Sequence, residues 1–262
     1  MTVRIERAGP VWTVIHSRPE ARNAMDPESA SALESAFLEF EADAEARVAV
    51  LWGEGGAFCA GFDLKRAAQG AGIASLAYPD SDGPAPRGPM GPTRLVLDKP
   101  VIAAIAGPAV AGGFEIALWC DLRVMEASAY FGVYCRRWGV PLIDGGTVRL
   151  PRIIGRGRAL DLVLTGRPVM SEEALRIGLC ERVVADGASR AEAEKLALDI
   201  SRFPQGCMRA DRRSVYAQEG RTLGEAMRYE WKNGIPALQA EGVAGAARFA
   251  SGRGRHGDFG EL

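Results

Sequence analysis

The chain has 262 residues, 47% hydrophobic and 25% charged, enough for one substantial core with or without a smaller appendage. A formal net charge of -1 with no long basic run argues against nucleic acid as the main partner, and no apolar run approaches the ~18 residues of a bilayer span. Five cysteines are scattered without a C-x-x-C pair, and His16 and His256 offer no paired metal spacing, so reduced thiols and no zinc site are expected. The N-terminus lacks the apolar core of a signal peptide, so a cytoplasmic location is expected.

Val3 to Arg7 and Val11 to Ile15 read as two strands joined in a hairpin at Gly9-Pro10. After a polar loop, Asp26 can cap a helix with Pro27 at its first position, in which Ala30, Leu33, Phe37, Phe40 and Ala44 recur at helical spacing. Val48 to Trp52 is a compact strand, so the order strand, helix, strand implies a parallel right-handed crossover. Ala57 to Lys65 forms a glycine-bearing turn, and Ala67 to Pro92, rich in Ala, Gly, Pro and Ser, is a functional flap or disordered. A short helical turn is expected over Thr93 to Leu97.

Val101 to Ala106 is a continuous apolar run, the pattern of a strand buried on both faces. Gly112 and Gly113 come just before Phe114 to Cys120, a segment apolar all round except for Glu115, which suggests a buried helix carrying one carboxyl group. Glycines let a ligand approach the main chain, and a helix N-terminus presents unpaired N–H groups, so this turn suits a developing negative charge. Leu122 to Met125 is a further strand, and Tyr130-Phe131 begins a short element. Arg136 to Gly146 is an irregular loop with Asp144 before two glycines. Gly155 to Thr165 is helical, Ser171 caps the next helix, and Leu179 to Val184 is a short strand. From Ala188 only helices follow: Ala188 to Phe203, Pro204 to Glu219, and Leu223 to Ala250, the last interrupted at Gly234 and Pro236. A G-x-S-x-G elbow and a phosphate loop are both missing from the sequence.

Six blocks of this sequence resemble, in order, those of the crotonase superfamily of enoyl-CoA hydratases and isomerases. They are Arg22-Asn-Ala-Met25, Ala57 to Leu64, Lys99 to Gly107, Ala111-Gly-Gly-Phe-Glu115, Cys120-Asp121 and Gly145 to Pro151. The resemblance implies an α/β fold: a crotonase-like ββα spiral core over residues 1–187 and an all-helical C-terminal trimerisation region over 188–262. It also implies an acyl-CoA substrate whose coenzyme A is part of the thioester, with no separate cofactor or metal, no nucleic-acid or membrane partner, and assembly as a homotrimer or hexamer.

On the same resemblance, the main-chain N–H groups of Phe62 and Gly112 form the oxyanion hole and Glu115 is the acid/base. Coenzyme A is held by Arg22, Ala24, Ala60, Asp63 and Leu64, with Arg248 and Phe249 as candidates contributed by a neighbouring subunit. Two fixed donors on a thioester oxygen make the adjacent carbanion accessible as an enolate. Hydratases of this kind use a second glutamate at the position occupied here by Cys135, and cysteine replaces a proton-donating carboxyl poorly. Asp144 is the candidate to stand in, with a plain turn-forming role as its rival. The expected activity is hydration of a 2-enoyl-CoA. Isomerisation, other enolate chemistry using Glu115 and Asp144, and a non-catalytic acyl-CoA-binding trimer remain open.

Overall fold

The structure is a computed structural model and describes residues 2–70, 77, 78, 80 and 85–253. These divide into two compact units, Met1–Ala197 and Leu198–Leu262. In the first unit, β1 (Val3–Ala8) and β2 (Val11–His16) form the expected antiparallel hairpin. Asp26 accepts a hydrogen bond from Ser29 N (2.7 Å) and so caps α1 (Pro27–Ala42), which buries Ala30, Leu33, Phe37 and Phe40. Ala44, expected to continue that stripe, lies beyond the end of the helix and is exposed, because the chain leaves it at Asp43 in extended backbone.

The crossover then delivers β3 (Val48–Gly53) parallel to β2, with Val11 opposite Val48 and His16 opposite Gly53. Next in the sheet come β4 (Val101–Ile105), β6 (Leu122–Glu126) and β9 (Arg182–Val184), all parallel, in the order β1-β2-β3-β4-β6-β9. Every residue of β4 is buried, as a strand covered on both faces requires.

A second sheet, β5-β7-β8, combines β5 (Pro108–Val110), β7 (Tyr130–Gly132) and β8 (Val169–Met170). From β4 to β7 successive strands therefore alternate between the two sheets, and a helix closes each pair. The sequence β4, β5, α3 (Gly112–Trp119) is one such unit; β6, β7, α4 (Gly146–Ile154) is the next. An abbreviated earlier unit is made by β3, a single bridge of Cys59 to Ala109, and α2 (Leu64–Ala68). α5 (Arg156–Thr165) and α6 (Ser171–Arg176) follow. Among the described residues, no helix is long and apolar enough to cross a membrane.

Several boundaries differ from the sequence reading. Gly112 and Gly113 are the first residues of α3 rather than its prelude, and the residue that turns the chain is Ala111, at φ 53° and ψ -126°. The loop expected over Arg136 to Gly146 contains a 3-10 turn, Tyr134–Trp138, and Gly146 opens α4. Gly155 precedes α5 instead of joining it, and the strand expected from Leu179 is confined to β9. The flap expected over Ala67 to Pro92 falls in part outside the described residues.

α7 (Ser189–Ser201) spans the division between the units. In the second unit, α8 (Gln205–Ala217) has its first amides, Gly206 N and Cys207 N, bonded to the carboxylate of Glu241 at 3.0 and 2.8 Å. α9 (Leu223–Ala237) starts at a capping box between Thr222 and Glu225. Gly234 and Pro236 do not interrupt it. The departure from α geometry follows instead as a π-helical stretch, Leu238–Gly242, before α10 (Val243–Ala250). Leu223, Met227 and Trp231, spaced four apart on α9, are all exposed in the single chain.

Candidate active site

Two turns in consecutive spiral units lie against each other. Cys59 N donates to Pro108 O (3.1 Å) and Val110 N donates to Cys59 O (3.0 Å), so the Ala57–Asp63 turn runs alongside β5. The contact is tightest at Gly61, whose φ is +94°. A Cβ there would stand 2.8 Å from Ala111 Cβ and 3.2 Å from Gly112 N, so only glycine fits. Neither Phe62 N–H nor Gly112 N–H has an acceptor among the described residues. Phe62 pairs with Met25 in a parallel bridge in which Met25 N bonds Gly61 O and Asp63 N bonds Met25 O, both at 2.8 Å, and that register leaves the Phe62 amide unused. Gly112 is the first residue of α3, where an amide lacks an intrahelical acceptor.

Glu115 follows within the first turn of α3 and is only 2% exposed. Its Oε1 accepts from Asp144 N (2.9 Å) and Gly146 N (2.8 Å). Burial, reinforced by the charge of Asp144, pushes the carboxyl up to about 7, against the pull of those two amides and of Arg149. A carboxyl poised near neutrality can take and return a proton.

The Asp144 side chain is buried too, and burial raises its pKa. Its Oδ1 accepts from Met90 N (3.0 Å) and from the Thr93 hydroxyl. Arg149 ties the same two segments together, donating to Asp144 O (2.9 Å) and Thr93 O (2.8 Å). Cys135 lies in the 3-10 turn, where burial and then the charge of Glu115 hold its thiol above the ordinary range. It is a neutral neighbour of Glu115, as expected of a filler and not of a nucleophile.

The residues expected to hold coenzyme A fall into two groups. Arg22, Ala24, Ala60, Asp63 and Leu64 come together where loop 18–25 meets residues 60–64, with Ala60 N donating to Arg22 O (3.0 Å). Phe249 and Arg248 lie on α10 in the other unit, Phe249 being exposed.

Sequence reasoning passed over Arg18, which organises the first group. It donates to Ala24 O and pairs with Asp26 Oδ2 and Asp63 Oδ2, both at 3.2 Å. Asp63 is thereby engaged on two sides, since its other oxygen caps α2 at Lys65 N and Arg66 N. Asn23, at φ 54°, donates to Glu54 O and Ala57 O and accepts from Arg18 N, which anchors the loop to the end of β3. Met90 and Thr93 were missed as well. A pairing of opposite charges across more than forty residues leaves no local pattern to read.

The sequence and the fold have counterparts among known proteins. A family profile described as enoyl-CoA hydratase/isomerase matches residues 6–239. The chain belongs to the enoyl-CoA hydratase/isomerase family. It is 37% identical over 257 residues to the enoyl-CoA hydratase EchA19 of Mycobacterium tuberculosis, covering 95% of this chain and 93% of that protein. It is 39% identical over 201 residues to a carnitinyl-CoA dehydratase of Salmonella typhi, covering 76% and 74%. The crystal structure of an enoyl-CoA hydratase from M. tuberculosis superposes with a TM-score of 0.87 at 31% identity, covering 95% of this chain and 96% of that one. EchA1 from Mycobacterium marinum does so at 0.88 and 31%, covering 96% of each. The fold is thus that of the crotonase superfamily, and the chain is an acyl-CoA enzyme of that superfamily.

Proposed function

We propose that this enzyme adds water across the double bond of a 2-enoyl-CoA, a lyase reaction, with Glu115 as acid/base and the amides of Phe62 and Gly112 as the oxyanion donors. The observation that carries the reading is the contact at Gly61. It brings two turns with unpaired amides together one helical turn from a buried carboxyl near neutrality.

The thioester oxygen accepts from both amides, and the C2=C3 π electrons move toward it as water attacks C3. Glu115 takes the proton released by that water and returns it to C2 as the enolate collapses. One water is consumed, and the carboxylate ends as it began. Donors fixed by a sheet and a helix need no reorganisation during the step, and each is worth about 3–4 kcal/mol of barrier. A single carboxyl serves in both directions because the thiol of Cys135, its pKa raised by burial, is too weak an acid to stand in for a second carboxyl.

Coenzyme A is assigned to the loop pair around Arg22, Ala24, Ala60, Asp63 and Leu64, supported by the hydrogen bonds that gather them. The exposed stripe of Leu223, Met227 and Trp231 on α9 supports assembly as a trimer or pair of trimers, in which Phe249 of one copy reaches the coenzyme A of another. Free cysteines support a cytoplasmic location. A one-carboxylate isomerase is the second reading, since moving a double bond needs a single carboxyl shuttle; against it, isomerases resembling this chain keep that carboxyl at the position of Cys135.

Loss of the conjugated thioester absorbance of crotonyl-CoA on adding enzyme tests the hydratase assignment. Conversion of a 3-enoyl-CoA to the conjugated isomer without turnover of crotonyl-CoA would replace it with the isomerase. A Glu115→Gln protein as active as wild type would remove the mechanism in either case.

A further inference from the structure

Residues Gly88 to Gly91 form a tight turn closed on itself, Gly88 N to Gly91 O at 3.1 Å and Gly91 N to Gly88 O at 2.9 Å, with Pro89 and Met90 at its centre. The turn points Met90 inward, where the residue is 1% exposed. Its side chain lies flat on Gly112: Sδ, Cγ and Cε stand 2.5, 2.8 and 2.9 Å from the place a Cβ on Gly112 would occupy. The tip is held there by Asp144, whose Oδ1 takes both Met90 N and the Thr93 hydroxyl. The main chain of that same Asp144 donates to Glu115 Oε1. One residue thus fastens the Met90 tip with its side chain and the acid/base with its backbone.

We propose that Met90 is the specificity-determining residue for substituents next to the thioester carbonyl, and that Asp144 is the positioning residue that keeps Met90 over the oxyanion turn. The inference rests on the oxyanion assignment of Gly112. A thioester oxygen bonded to Gly112 N–H brings the acyl C2 against the face of Gly112 that the Met90 thioether covers. The substrate class is therefore an acyl-CoA unbranched at C2, because a methyl group there has to displace Met90. In this role Asp144 moves no proton. It needs only an acceptor oxygen at Oδ1, which an asparagine also supplies.

Binding of two unreactive esters, butyryl-CoA and 2-methylbutyryl-CoA, reads the inference without relying on turnover. Wild type should favour butyryl-CoA by roughly tenfold or more, the scale of one methyl group in a tight pocket. Met90→Ala should bring the ratio close to one while leaving butyryl-CoA affinity within a few-fold. Where alanine loosens the fold, as a thermal melt would reveal, Met90→Val should shift the ratio in the same direction. Asp144→Ala should lose discrimination as Met90→Ala does, and Asp144→Asn should restore it. A ratio unchanged in both Met90 variants overturns the specificity role, and Asp144→Asn behaving like alanine overturns the positioning role. Failure of wild type to bind either ester would instead sink the acyl-CoA reading on which both depend.

Discussion

The two sides of Glu115 are built from different materials. Toward the oxyanion turns the hydrogen-bond donors offered to a ligand are main chain: two amides, held by a parallel bridge and a helix start, with glycine where the turns touch. Toward Asp144 the structure is a mesh of hydrogen bonds in which the Asp144 carboxylate takes the Met90 amide and the Thr93 hydroxyl, and the Arg149 side chain donates to two main-chain carbonyls. The first side has no donor side chain to delete and is vulnerable to added atoms. The second has side chains at one end of every bond, and these can be removed one at a time, each with a modest net contribution.

Glu115 stands between the two, and Glu115→Gln should have the largest effect. The amide keeps an oxygen for Asp144 N and Gly146 N but cannot carry a proton, so kcat with crotonyl-CoA should fall by about 100-fold to 10,000-fold while the fold melts normally. Gly61→Val adds atoms to the main-chain side, colliding with Ala111 Cβ and Gly112 N at a positive φ. Displacing the donors should cost about 100-fold to 1,000-fold in kcat with the same substrate. Thr93→Val deletes from the other side. It should lower stability by about 1 kcal/mol in urea unfolding and change kcat no more than a few-fold, because Met90 N still binds Asp144. A Thr93→Val enzyme more impaired in kcat than Gly61→Val would abolish the distinction between the two sides. The smallest effect is expected of Ala111→Gly. Relief of an alanine at φ 53° is offset in part by the freedom glycine gains when unfolded, leaving a stabilisation under about 1 kcal/mol in the same assay.

Legibility in the sequence follows the same division. The long elements announced themselves: Asp26-Pro27 before a helical stripe, and apolar runs for β3 and β4. The elements missed are two to nine residues long. β5 and β8 are too brief to show alternation, and α4 hides behind Gly146 and Pro151, which read as turn formers although Leu150 and Ile154 bury one face of the helix. Glu115 and the glycine turns were legible because each is local. Asp144 was visible as a residue but its partners were not, since Met90 and Thr93 lie more than fifty residues earlier in a segment without periodicity. Arg18 escaped for the same reason.

The last residue of β2, His16, carries a consequence for how the protein meets acid. It is buried opposite Gly53, its Nε2 has no hydrogen-bond partner among the described residues, and burial, aided by the charge of Arg18, depresses its pKa to about 4. The unfolded chain takes up a proton on this imidazole near pH 6.5, whereas the native chain refuses it until about pH 4. Between those limits every step toward acid favours the denatured ensemble, by about 3 kcal/mol across the whole interval. Histidine at this position therefore works as an acid-labile plug in the sheet, and replacing it with leucine should flatten the decline in melting temperature on acidification.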